Sequence, residues 1–140
     1  MLKFFKILIL VLISIFYLNS QISANEKKLK IGLLIPISGE NKKIGQQIIK
    51  STRMALKDIG ENKVEVYLKD TNSNPNQTIK SANEFQNMGI QIVIGPVFFK
   101  NLIYLEETKD IIFLSFTNKT YKLPRNVVSA GVNANSQLNA

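Results

Sequence analysis

The chain has 140 residues, with 18 Lys+Arg against 10 Asp+Glu, and contains neither cysteine nor histidine. One domain is the expectation at this length. Disulfides, thiolate nucleophiles, Cys/His zinc sites and His-based triads are excluded.

The N-terminus reads MLKFFK, then the apolar run Ile7–Leu18, broken only by Ser14, then NSQISA. That basic, apolar, small-residue order is the pattern of a secretory signal peptide, and the apolar run is too short to span a bilayer comfortably. Residues 1–24 are therefore expected to be a leader cleaved after Ala24, with the periplasm as destination. Residues 25–28 follow as a short polar segment. Without Lys3 and Lys6, the remaining 116 residues hold 16 basic and 10 acidic groups. The lysines are scattered and no aromatic stripe interleaves them, so no nucleic-acid partner is expected.

From Leu29 the elements come in alternation. LKIGLLI, Leu29–Ile35, is short, apolar and branched, which predicts a strand buried on both faces. PISGENKK follows as a loop. Ile44, Ile48, Ala55 and Ile59 share one helical face, and Gly60 ends that helix. KVEVYLKD alternates apolar and polar residues, predicting a strand nearer a sheet edge. Asn74 is placed to cap a helix with Pro75 at its first position and Gln77 three residues past the cap. Ile79, Ala82, Phe85 and Met88 form its apolar stripe, and Gly89 closes it. IQIVIG predicts a third strand, Asn101–Lys109 a short helix, Ile111–Phe116 a fourth strand and Asn126–Gly131 a weaker fifth. NSQLNA reads as the start of a further helix. Strand–helix alternation of this kind predicts an α/β fold, a five-stranded, mostly parallel sheet flanked by helices.

Ligands of open parallel sheets bind beyond the carboxyl ends of the strands. Gly95-Pro96 stands at such an end, where Gly95 can take a positive φ or admit a neighbouring backbone and Pro96 stops the ladder. IPISGE and SFTNKT stand at two others. If these strands are neighbours, one rim gathers Ser38, Gly39, Gly95, Pro96, Phe98, Ser115, Thr117 and Asn118.

KIGLLIPISGENKKIGQQIIKSTRMALKDI, KDTNSNPNQTIKSANEF, IQIVIGPVFF and FLSFTN occur in this order and spacing. Together they resemble the N-terminal lobe of type I periplasmic binding proteins of the leucine-binding kind, and of the related penicillin-binding protein activators. The resemblance covers residues 29 to about 135 and implies strand order 2-1-3-4-5. It makes residues 29–131 the N-terminal lobe and residues 132–140 the start of a crossover to a second lobe. On this reading the 140 residues are expected to be a fragment of a longer protein. It also implies that Ser38-Gly39, the Gly95-Pro96 loop and the loop after the fourth strand face a ligand cleft, while Asp70 orders the turn before Pro75. Amino-acid binders of this kind carry small hydroxyl residues just after Gly-Pro. Here Phe98, Phe99, Lys100 and Asn101 stand in that place, which suits an apolar ligand or a protein partner. At least one of two consecutive rings belongs to the core, since adjacent residues leaving a strand point to opposite sides.

The expected role is a periplasmic solute-binding component of an ABC importer, with an amino-acid-like small molecule and an ABC permease as partners. The alternative is an interaction protein of the activator type, with a cell-wall synthase as partner. No catalytic residue, metal or cofactor is expected, because no base stands beside a nucleophile and no phosphate-binding glycine loop is present.

Overall fold

The computed structural model describes residues 28–60 and 62–132, together with Phe4. Strand β1 is Leu29–Ile35, helix α1 Lys42–Ile59, β2 Val64–Asp70, α2 Pro75–Asn87, β3 Ile92–Ile94, β4 Ile112–Ser115 and β5 Val127–Ser129. All five strands lie in one parallel sheet in the order β2-β1-β3-β4-β5. Both the alternation and the strand order are as expected from the sequence. The further helix expected at NSQLNA lies outside the described residues.

Local chemistry accounts for α2 almost alone. The Asn74 side chain accepts from the backbone N–H of Asn76 at 2.8 Å and of Gln77 at 3.2 Å, and Pro75 opens the helix. At the far end the Ile90 N–H reaches back to the Phe85 carbonyl at 3.0 Å across Gly89, whose φ is +70°. Such a left-handed exit satisfies carbonyls the helix leaves open.

The core lies on the α2 side of the sheet. Leu34, Val93, Phe113 and Val127 project from four strands onto Ala82 and Phe85 of α2 and onto Leu102, Leu105 and Ile111. Gly32 makes room for this packing. A Cβ there would stand 2.8 Å from Val93 Cγ2 and 2.9 Å from Phe85 Cε2, so the Phe85 ring rests directly on the backbone of β1.

The helix expected over Asn101–Lys109 is instead two 3₁₀ turns, Phe99–Leu102 and Leu105–Glu107. Leu102 and Leu105 are both buried, and their spacing of three fits the 3₁₀ period as well as one face of an α-helix. The Asn126 amide also donates to the carbonyls of Leu105 at 2.8 Å and Thr108 at 2.9 Å. Those carbonyls are thus satisfied by a residue arriving from the approach to β5.

Candidate functional site: the carboxyl rim of the sheet

The strand order places β3 beside both β1 and β4, so the loops leaving these three strands share one edge. Two hydrogen-bonded clusters build that edge.

The first is centred on Asp70, the last residue of β2. Its carboxylate accepts from the Ile37 N–H at 2.8 Å, the Ser38 hydroxyl at 2.5 Å, the Ser38 N–H at 3.4 Å and the Asn72 N–H at 2.8 Å. One side chain therefore fixes the loop after β1 and the turn after β2. Partial burial pushes this carboxyl up, but the bonds from the Ser38 hydroxyl and from the Asn72, Ile37 and Ser38 N–H groups outweigh it. The net effect holds Asp70 below the usual carboxylate range. Ser38 and Gly39 remain at the surface, Gly39 with φ +73° and packed against the Asn72 amide.

The second cluster joins β3, β4 and β5. Gly95 has φ +109° and lies against β1, since a Cβ there would sit 2.0 Å from the Leu34 carbonyl oxygen. Its N–H donates to Leu114 O at 2.8 Å, and the Gly95-Pro96 peptide is cis. The Pro96 carbonyl, turned toward β4, accepts from the Ser115 hydroxyl at 2.7 Å and the Phe116 N–H at 3.1 Å. Ser115 Oγ in turn accepts from the Thr117 N–H at 3.2 Å. Thr117 O accepts from the Ser129 hydroxyl at 2.6 Å, and Thr117 Oγ1 from the Lys119 N–H at 3.3 Å.

Gly95, Pro96, Ser115 and Thr117 are thus brought together, and all four are buried. The Ser115 hydroxyl is committed as donor and as acceptor. Ser38, Gly39 and Asn118 are exposed and Phe98 is half-buried, so these four form the accessible part of the rim. Of the two rings, Phe99 packs against the core cluster. The Lys119 ammonium stands 4.2 Å from the centre of the Phe99 ring and 5.8 Å from that of Tyr121, an arrangement that favours the cation. Asn101 is buried, and neither polar atom of its amide has a partner among the described residues. The sequence pointed to the loop ends. It did not point to Asn126 or Ser129, whose partners lie 12–21 residues away.

This architecture is the type I periplasmic binding fold, represented here by part of its first lobe. No protein-family model matches the chain. Over 71 residues it is 34% identical to Leu/Ile/Val-binding protein homolog 1 of Brucella abortus, a match covering 46% of this chain and 19% of that relative. The chain therefore spans about a fifth of the length of the curated relatives it matches. Its backbone superposes on an ABC-type branched-chain amino acid transporter protein of Rhodopseudomonas palustris with a TM-score of 0.64 at 23% identity, over 78% of this chain and 34% of the other. It superposes on the C-domain of LpoA from Haemophilus influenzae, described as a regulator of PBP1A, with a TM-score of 0.60 at 23% identity, over 79% and 37%.

Proposed function

We propose that the chain supplies the first lobe of a non-catalytic periplasmic solute-binding protein serving an ABC importer. Its ligand is a small amino-acid-like or similarly polar-headed solute, held against the rim. The observation that supports this most directly is the division of labour at the sheet edge. Asp70 and Ser115 fix the loops through bonds within the chain, so Ser38, Gly39, Phe98 and Asn118 are held at the surface without rearrangement. A prepared surface of that kind lowers the ordering cost of binding. Addition of isoleucine to the isotope-labelled protein should shift amide resonances at residues 36–39, 95–98 and 116–119 and leave α2 unchanged. Shifts scattered over the molecule, or none for any branched-chain amino acid, would reject the assignment.

The leader belongs to the same proposal. Protein recovered from the periplasm of a Gram-negative host should begin at or near Asn25 by mass spectrometry. Material retaining Met1 in the membrane fraction would contradict it.

A second reading has its own support. Phe98 and Lys100 stand where small hydroxyl residues would serve an amino acid, and the backbone also matches the LpoA C-domain. On this reading the rim contacts a bifunctional cell-wall synthase. Retention of such a synthase by the immobilised protein, with no amide shifts from amino acids, would favour it over the transport reading.

A further inference from the structure

The loops that leave β3 and β4 carry charge of one sign. No Asp or Glu occurs from Ile92 to Leu105 or from Ile111 to Ala140, whereas Lys100, Lys119, Lys122 and Arg125 do. Arg125 faces Glu106 at 3.8 Å, and the other ion pair among the described residues joins Lys69 to Glu84. Lys119 therefore has no carboxylate partner among them. Its place is nevertheless fixed. The Lys119 N–H donates to Thr117 Oγ1, and the ammonium is drawn to the rings of Phe99 and Tyr121. The residue is half-buried there. A ring offers a cation its face but no lone pair, so the ammonium keeps N–H donors for an acceptor that the rings do not provide.

We propose that Lys119 takes the carboxylate of the solute, and that the solute is an apolar, ring-bearing carboxylic acid without an ammonium group. This deepens the solute-binding reading above and rests on it. A carboxylate is the strong acceptor that a positioned ammonium lacks, and the bond between two charged groups is the stronger kind. The body of such a ligand meets aromatic surface at once. Tyr121, beside the cation, is 61% exposed. Phe98 and Phe116, on the same two loops, are half-buried and 37% exposed. Rings stack and meet edge to face with a gain beyond plain area burial, which favours an aromatic body.

The same charges work against an ammonium. An α-amino acid carries that group on the carbon next to its carboxylate, so binding at Lys119 sets two like charges close together. The carboxylate built into the rim clusters is Asp70. It ends β2, two strands from β3 and three from β4, at about 4.8 Å per strand. Its oxygens already accept from Ile37, Ser38 and Asn72. Ser115, the hydroxyl nearest in sequence on β4, is buried and committed to Pro96 and Thr117. Around Lys119 this chain thus offers a carboxylate a partner and an ammonium none among the described residues.

Titration of the full isotope-labelled chain with three molecules that share one body tests this: 3-phenylpropionate, phenylalanine and phenethylamine. The first should shift the amide resonances of residues 98–101 and 117–122 and bind at least about tenfold tighter than phenylalanine, the factor that corresponds to 1.4 kcal/mol. Phenethylamine should shift none of them, and added salt should weaken the binding of 3-phenylpropionate. Lys119→Gln should weaken that binding about tenfold on the same scale, while Lys119→Arg, which keeps a cation over the rings, should retain it. Lys57→Gln, in the last turn of α1, should leave it unchanged. Phenylalanine or phenethylamine binding as tightly as 3-phenylpropionate, or binding indifferent to Lys119→Gln, would overturn the proposal. Isoleucine shifting the rim while 3-phenylpropionate does not would reject it and leave the solute-binding reading standing. A rim silent toward all four molecules would reject both.

Discussion

Gly95→Ala is expected to abolish cooperative folding. Two separate costs meet at this residue. Its φ of +109° is outside what an L side chain adopts readily, and the added Cβ would stand 2.0 Å from Leu34 O and 2.9 Å from Leu34 C. Those atoms are backbone of β1 and cannot swing aside as a side chain can. Relief requires β3 to move off β1 at the rim, which also pulls Pro96 away from Ser115 and Phe116. We expect a loss above about 4 kcal/mol, out of the 5–15 kcal/mol that hold an ordinary domain together. Gly89→Ala separates the two costs. Gly89 also has positive φ, +70°, but nothing lies within 4 Å of its added Cβ. It should lose only about 1–2 kcal/mol, the conformational part. Thermal melts of the two variants followed by circular dichroism decide the matter. Similar melting temperatures would mean that the close approach to Leu34 carries no weight.

Asp70→Ala should destabilise the protein by about 2–4 kcal/mol, more than a surface carboxylate ordinarily contributes, because it orphans donors on two loops at once. Water reaches part of this cluster, which keeps the loss below the full sum of its bonds. Asp70→Asn retains acceptor capacity on one oxygen and should lose roughly half as much on the same scale. The pH dependence has a definite sign. A carboxyl whose pKa is lowered by folding stabilises the native state fully above its unfolded value, near 3.9 for an aspartate. That contribution fades as pH falls through the lower, folded value. Wild-type protein should therefore lose stability relative to Asp70→Asn on acidification below about pH 4. Urea melts at a series of pH values measure the difference, and a constant gap down to the acid limit would show that Asp70 does not titrate in this window.

What could be read in advance divides along the range of the interaction. Helix α2 was legible nearly to the residue because its cap, its proline and its closing glycine act within a few positions of one another. Strand β1 was legible because Ile31–Ile35 forms a short run of branched apolar residues around Gly32. The order of the strands came from resemblance rather than from any property of the strands themselves. The segment after Pro96 was misread as one α-helix because apolar residues spaced by three fit two helical periods, and the carbonyls that decide between them are taken by Asn126. At the rim, loop ends, glycine and proline marked the place. The division between buried supports and open surface was not legible. It depends on which hydroxyl finds Pro96 and which finds Asp70, and both are contacts across strands.

The Phe85 ring resting on Gly32 bears on how this chain can change over generations. The two positions share one volume. A lineage that acquires a methyl group at 32 while the ring persists forces the ring and Val93 apart in the middle of the core. A lineage that first trades the ring for a smaller side chain removes one of two obstacles, while Val93 Cγ2 still stands 2.8 Å from the added carbon. A methyl group at position 32 thus becomes accessible only after both neighbours have given way, so its history is tied to positions 85 and 93 together.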